Sequence, residues 1–419
     1  MIYNFPAWQL FMLSVGSLVS VVAQPLFYFV IFMIYWQYRK LAARQYVMFR
    51  HKTLPVRRAV LQSAVTGMLG GLIASMIVLL TGLSINGIGL QYIWPLAVLL
   101  FLLNVRFVCF AYAGGLVALS NVFFGWPDID PSHMLALVAI LHVTEGILVL
   151  CGGSHADLPI YLFFKGRAVG GFLLTNFWPV PLVLLIFAGL APEKVPDILS
   201  MPDWWPLFPP QGVSVNRESV FAPITVIAAL GYSSVSVTTT PARKRLESGV
   251  LLFCYSAVLF AAAYLSIGRP LYAAAAALIS FLGHEAVIRI DRKLENRRLP
   301  LYQNQPGKFA ALATVYGSPA QKAGLKANDV ILRLNGIRVY CEEDFLLAAD
   351  FLPPHFDMEI VRDGREILLP VTKTAESKGV LGIIRMPVLG RDYLAQISAD
   401  HSFLYKFCEK HLFRRFKRR

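Results

Sequence analysis

GSPAQKAGLKANDVILRLNG, residues 317–336, is the stretch from which the rest of the chain can be read. Tyr316-Gly317-Ser318-Pro319 predicts a tight turn, and residues 320–323 a single turn of helix. Gly324, free to adopt a left-handed backbone, stops that helix. Residues 329–334 set apolar Val330, Ile331 and Leu334 in a context suited to a strand, which Asn335-Gly336 ends in a turn pair. Working outward, residues 308–315 read as a strand leading in, and residues 342–351 as a helix with Phe345, Leu346 and Ala349 on one face. Phe356, Met358 and Ile360 alternate with polar residues up to a hairpin turn at Asp363-Gly364; residues 367–371 return, and VLGIIR (380–385) is a last strand.

This small α+β pattern resembles the PDZ domain in the circularly permuted form of bacterial membrane and secreted proteins. Gly-Ser-Pro-Ala, Ala-Gly-Leu, Asp-x-Ile and Asn-Gly follow in the usual order, with Asn328 where glycine is usual. Asparagine tolerates a left-handed backbone best after glycine, so the fold is unaffected. A PDZ domain takes an extended peptide as an added strand and holds its carboxylate with backbone amides. No Gly-Leu-Gly-Phe loop precedes Lys308; Leu381-Gly382-Ile383 follows instead. The resemblance therefore places the groove between Leu381, Gly382, Ile383 and Ile384 on one side and Phe345 and Leu346 on the other. The plain alternative is that these residues only fill the domain's core.

The remainder belongs to the membrane class: of 419 residues, 56% are hydrophobic and 15% charged. A net charge of +14 would ordinarily point to nucleic acid, but the basic residues flank apolar stretches, so orientation in a bilayer explains them and no nucleic-acid partner is expected. The five cysteines show no paired or metal-like spacing and read as small hydrophobes in a reducing compartment. No cleavable signal peptide is read at the N-terminus. Expected spans cover residues 5–36, interrupted at Gln24-Pro25, then 61–81, 132–152, 170–190, 220–240, 250–267 and 271–290. Residues 92–120 split into two short segments, because Asn104 and Arg106 are costly at mid-bilayer. Basic residues in 39–58, 243–245 and 292–298 fall on one side under this parity, which puts the PDZ domain in the cytoplasm. The expected fold is an α-helical polytopic membrane domain (1–298), a cytoplasmic PDZ domain (299–388) and a basic tail (389–419).

Three further features invite a site. His284-Glu285 resembles the start of a His-Glu-x-x-His zinc helix, but Ile288 stands at the second ligand position and no Asn-Pro-Asp-Gly follows. Protease chemistry is not expected, nor any metal or cofactor. His142 and Glu145 share one face of a span, either as a functional pair or as a packing pair with His284 or Glu285, since no third metal ligand is apparent. Arg414, Arg415, Lys417, Arg418 and Arg419, interleaved with Phe413 and Phe416, suit an anionic lipid surface.

Taken whole, the chain resembles the MinJ-type family of cell-division topological determinants of rod-shaped Gram-positive bacteria. The architecture carries this, with Gln24-Pro25-Leu26-Phe27, Gly153-Ser154-His155-Ala156, Trp178-Pro179-Val180-Pro181 and Leu282-Gly283-His284-Glu285. The resemblance implies a membrane adaptor and not an enzyme, at septum and poles, bridging the polar protein DivIVA and the division inhibitor MinD. A regulator or inactive relative of site-2-type proteases, and a transporter or sensor, are the alternatives.

Overall fold

The computed structural model describes residues 6–51, 54–103, 107, 109–153, 157–190, 201–212, 215, 219–373 and 380–388. Among them four helical stretches are long and apolar enough to cross a membrane: α3 (Val56–Thr81), α6 (Pro131–Cys151), α7 (Pro241–Leu265) and Pro270–Arg297. The last joins α8 (Pro270–Leu278), one π-helical turn (Ile279–Gly283) and α9 (His284–Arg297). A fifth crossing is formed if α1 (Ala7–Val21) and α2 (Pro25–Phe49), bent by 73° at the expected interruption, act as one. The split of residues 92–120 is also seen, as the short apolar helices α4 (Leu90–Leu103) and α5 (Phe110–Phe124); Asn104 and Arg106 lie outside the described residues. By these helices the chain is a multi-pass membrane protein.

Two expected helical spans are strands instead. Residues 170–190 fall in β2 (Arg167–Leu190), and residues 220–236 of the other expected span in β3 (Ser219–Ser236); with β1 (Asp157–Phe164) these form an antiparallel sheet in the order β1-β2-β3. Apolar runs of this kind fit a buried strand as well as a helix. The prolines decide for the strand: Pro179 and Pro181, two residues apart, would each break a helical hydrogen bond and clash with the preceding turn.

At bilayer depth a strand must have its peptide groups partnered. β3 covers one edge of β2 from Phe172↔Ser236 to Leu190↔Ser219, while β1 reaches only to Leu174 on the other. Beyond that point helices and a loop take over. Phe177 N–H donates to the Tyr38 hydroxyl (3.4 Å), Val183 N–H to Ser75 Oγ (2.9 Å), and Phe187 N–H to Asn86 Oδ1 (2.8 Å), while the Leu185 carbonyl accepts from Ile85 N–H (2.6 Å). At the two intervening positions proline has no N–H to leave unpaired, and the carbonyls of Pro179 and Pro181 press onto Gly67 and Gly71 of α3. The small residues of α3 thus receive a strand, not another helix.

The basic clusters are also more structured than loops. Arg39, Lys40 and Arg44 lie within α2, and Arg243, Lys244 and Arg245 in the first turns of α7. Lys244 is buried between Asp291 (3.0 Å) and Glu295 (3.2 Å) of α9, and Arg245 pairs with Asp157 of β1 (2.5 Å). Glu295 also accepts from the N–H groups of Val237 and Thr238 just beyond β3 (2.6 and 2.7 Å). This network ties α7, α9 and the sheet together at one end of the molecule.

The C-terminal sheet follows the sequence expectation closely. It comprises β4 (Phe309–Thr314), β5 (Val330–Leu334), β6 (Ile337–Arg338), β7 (His355–Arg362), β8 (Arg365–Thr372) and β9 (Ile383–Arg385), in the order β8-β7-β5-β4-β9 with β6 on β5. Helices α10 (Pro319–Lys322) and α11 (Glu342–Asp350) complete it. Asn328 is left-handed (φ 71°), as its place in the motif requires. Phe309, Leu325, Ile331, Leu334, Met358 and Ile360 form its core.

The segment before this sheet is not a free linker. Leu301 N–H donates to the Val237 carbonyl and Gly170 N–H to the Tyr302 carbonyl, both at 2.8 Å. Tyr302 is buried, with its ring against Phe172, and Leu312 of β4 packs on Gly170. The two sheets therefore share one apolar core, which includes Tyr161, Phe172, Leu312, Ile384 and Met386.

Candidate functional site

Strand β9 ends the C-terminal sheet, with β4 its one strand neighbour among the described residues. Helix α11 stands beside it, linked by Arg385 Nε to Glu342 Oε1 at 2.8 Å. Leu346 lies one turn beyond Glu342 on the same face and is 56% exposed. Phe345 stacks on Phe309 of β4 (4.6 Å, 15°), and half-buried Ile383 packs against the same core. Between the start of α11 and the end of β9 runs a cleft of about 120 Å³, lined by Phe309, Tyr340, Glu342, Arg385 and Val388 among others.

None of the six groove residues expected from sequence lines this cleft; Phe345 and Ile383 are half-buried against the core of the C-terminal sheet, and Leu346 stands exposed on α11. Leu381 and Ile384 are 4% exposed and point into the protein, Leu381 to the core under the C-terminal sheet and Ile384 to the core shared with the membrane part. Gly382 is a turn position rather than a wall. Its φ is +74°, a side chain there would collide with Ser318, and its carbonyl accepts from Val315 N–H at 2.8 Å. A bulky residue at 382 would disturb the loop itself, so it does not serve as a selective block of strand addition. The Arg414–Arg419 basic residues lie outside the described residues.

The polar residues of the spans form a second constellation. His142, 3% exposed, meets His284 ring to ring at 5.2 Å. Glu285 turns instead to the Tyr112 hydroxyl (3.0 Å) and to Arg289 (2.9 Å). Glu145 is half-buried one turn beyond His142. A third ligand type, which sequence reading did not find, is Cys109 at the N-cap of α5; its Sγ lies 3.1 Å from His142 Nε2. Ligand atoms of Cys109, His142 and His284 lie within 4.8 Å of one another. No local spacing could have disclosed this, because the three residues come from three separate helices.

No family model matches the chain. It is similar to the cell division topological determinant MinJ of Bacillus subtilis (strain 168), with 25% identity over 245 residues, 58% of this chain and 57% of the relative. It is also similar to "Probable periplasmic serine endoprotease DegP-like" of Chlamydia pneumoniae, 40% identical over 74 residues, 17% of this chain and 15% of that protein. The chain thus spans a little over half the length of the first relative and a small part of the second.

Proposed function

We propose that the chain is a membrane-anchored adaptor of the MinJ type, not an enzyme, which recruits protein partners through a PDZ-like C-terminal domain. The observation that carries this is the edge position of β9 beside the exposed apolar face of α11, an arrangement suited to receiving one more strand. Backbone pairing along β9 would supply affinity, and Ile383 and Leu346 would meet the added strand's side chains. The Arg385–Glu342 pair crosses one end of the cleft, so an incoming peptide either stops there or displaces it. Placement at septum and poles, and partners of the DivIVA and MinD kinds, belong to this proposal through the family resemblance.

The test pans a library of peptides with free C-termini on the full chain in detergent. Apolar-ended peptides should be retained, and Leu346→Asp should abolish retention without moving the melting temperature, because Leu346 is largely exposed. Equal retention by the folded variant would place binding on another surface.

A further inference from the structure

We propose that Cys109, His142 and His284 form a binding site for a zinc-class divalent ion, holding α5, α6 and the π-interrupted helix α8–α9 together inside the membrane part. This reverses the expectation from sequence, which rested on Ile288 as the missing second ligand of a His-Glu-x-x-His helix. The ligand set found here does not use that helix turn. It takes one residue from each of three helical segments.

The donor chemistry is specific. Two imidazoles and a thiol suit zinc and similar borderline-soft ions, and exclude magnesium and calcium, which need oxygen ligands. Tetrahedral zinc, with bonds of about 2.3 Å to sulfur and about 2.0 Å to nitrogen, needs donor atoms roughly 3.3–3.6 Å apart. The Cys109–His142 separation of 3.1 Å and the 4.8 Å limit on the whole set bracket that requirement.

The surroundings prepare the ligands. His142 Nδ1 lies 2.7 Å from the Val138 carbonyl and donates to it, which leaves the lone pair of Nε2 directed at Cys109. His284 Nδ1 is buried with no hydrogen-bond partner among the described residues, an orphan that a metal or a bound water would satisfy. Tyr112 and Tyr255 pack edge-on against the histidines and wall the site (5.2 to 5.9 Å). The π-helical turn ends at Gly283, immediately before His284, and such turns recur where a helix is re-registered to present a functional side chain. Binding is ligand exchange without electron transfer: a metal–sulfur bond replaces the Cys109 S–H bond, and the proton passes to solvent. Three protein ligands leave a fourth position for water or another donor.

The experiment uses the full chain purified in detergent without chelators. Metal analysis should return about one zinc per chain, and cobalt(II) exchanged into the protein should show a thiolate-to-cobalt charge-transfer band. Cys109→Ser should remove that band, and His142→Ala and His284→Ala should lose the metal, while His355→Ala, at an exposed site, retains it. Because a variant may unfold, alkylation of Cys109 in the unaltered chain is followed by mass spectrometry with zinc and with chelator. Protection by zinc supports the site. Equal alkylation in both conditions, or folded protein that takes up neither zinc nor cobalt, overturns it.

Discussion

Val183 donates its backbone N–H to the hydroxyl of Ser75 at 2.9 Å, and the same hydroxyl donates to the Gly71 carbonyl at 2.6 Å. One small side chain on α3 thereby satisfies the edge of β2 at Val183, where acyl chains offer no acceptor. Ser75→Ala keeps the volume and leaves a buried N–H unpaired, which costs about 1–3 kcal/mol. A lower midpoint of thermal unfolding in detergent is the expected result; an unchanged midpoint would mean that the strand edge finds another partner.

Gly71 and Gly67 are where helix and strand backbones touch, and a side chain on either would strike a proline carbonyl. Gly71→Val should destabilise by about 1–3 kcal/mol or more, since the obstacle is backbone rather than a movable side chain. Gly16, on α1, has nothing near the position of a new Cβ, so Gly16→Ala should be neutral or slightly stabilising. Folded yield and unfolding midpoint of the two variants give the comparison.

Lys244 holds two carboxylates, from Asp291 and Glu295, while being itself 1% exposed. Lys244→Met removes the cation and leaves both carboxylates uncompensated, a loss of about 3–5 kcal/mol. Its neighbour Arg243, 65% exposed and paired with Glu247, should cost no more than about 1 kcal/mol when changed to Met. Chemical unfolding of the pair would show whether burial or charge count governs this end of the protein.

Cys341 lies exposed at the start of α11 and offers a natural probe of sidedness. We propose that the C-terminal sheet is cytoplasmic, on the side of the basic clusters. A membrane-impermeant maleimide should then label Cys341, read at that residue by mass spectrometry, only after cells are permeabilised. Labelling in intact cells would invert the topology.

The local chemistry of residues 308–385 was enough to read the C-terminal sheet, because its strands, turns and short helices are each specified by neighbouring residues. Asn335-Gly336 and Asp363-Gly364 set hairpin turns, Gly324 stops a helix, and alternation marks β7. The apolar stretches likewise identified the membrane class and most of the helices. The run from 167 to 190 was different, since a long apolar segment buried on all sides carries no period that separates strand from helix. Pro179 and Pro181 speak against a helix there, but the strand exists only because its edges are met, by Ser75, Gly67 and Gly71 on α3 and by the whole of β3. The same holds for Cys109, His142 and His284, and for the two groove residues, Leu381 and Ile384, that turned inward. Residue type shows which chemistry is available; which side chains converge depends on how separate helices and strands pack, and only the tertiary structure decides that.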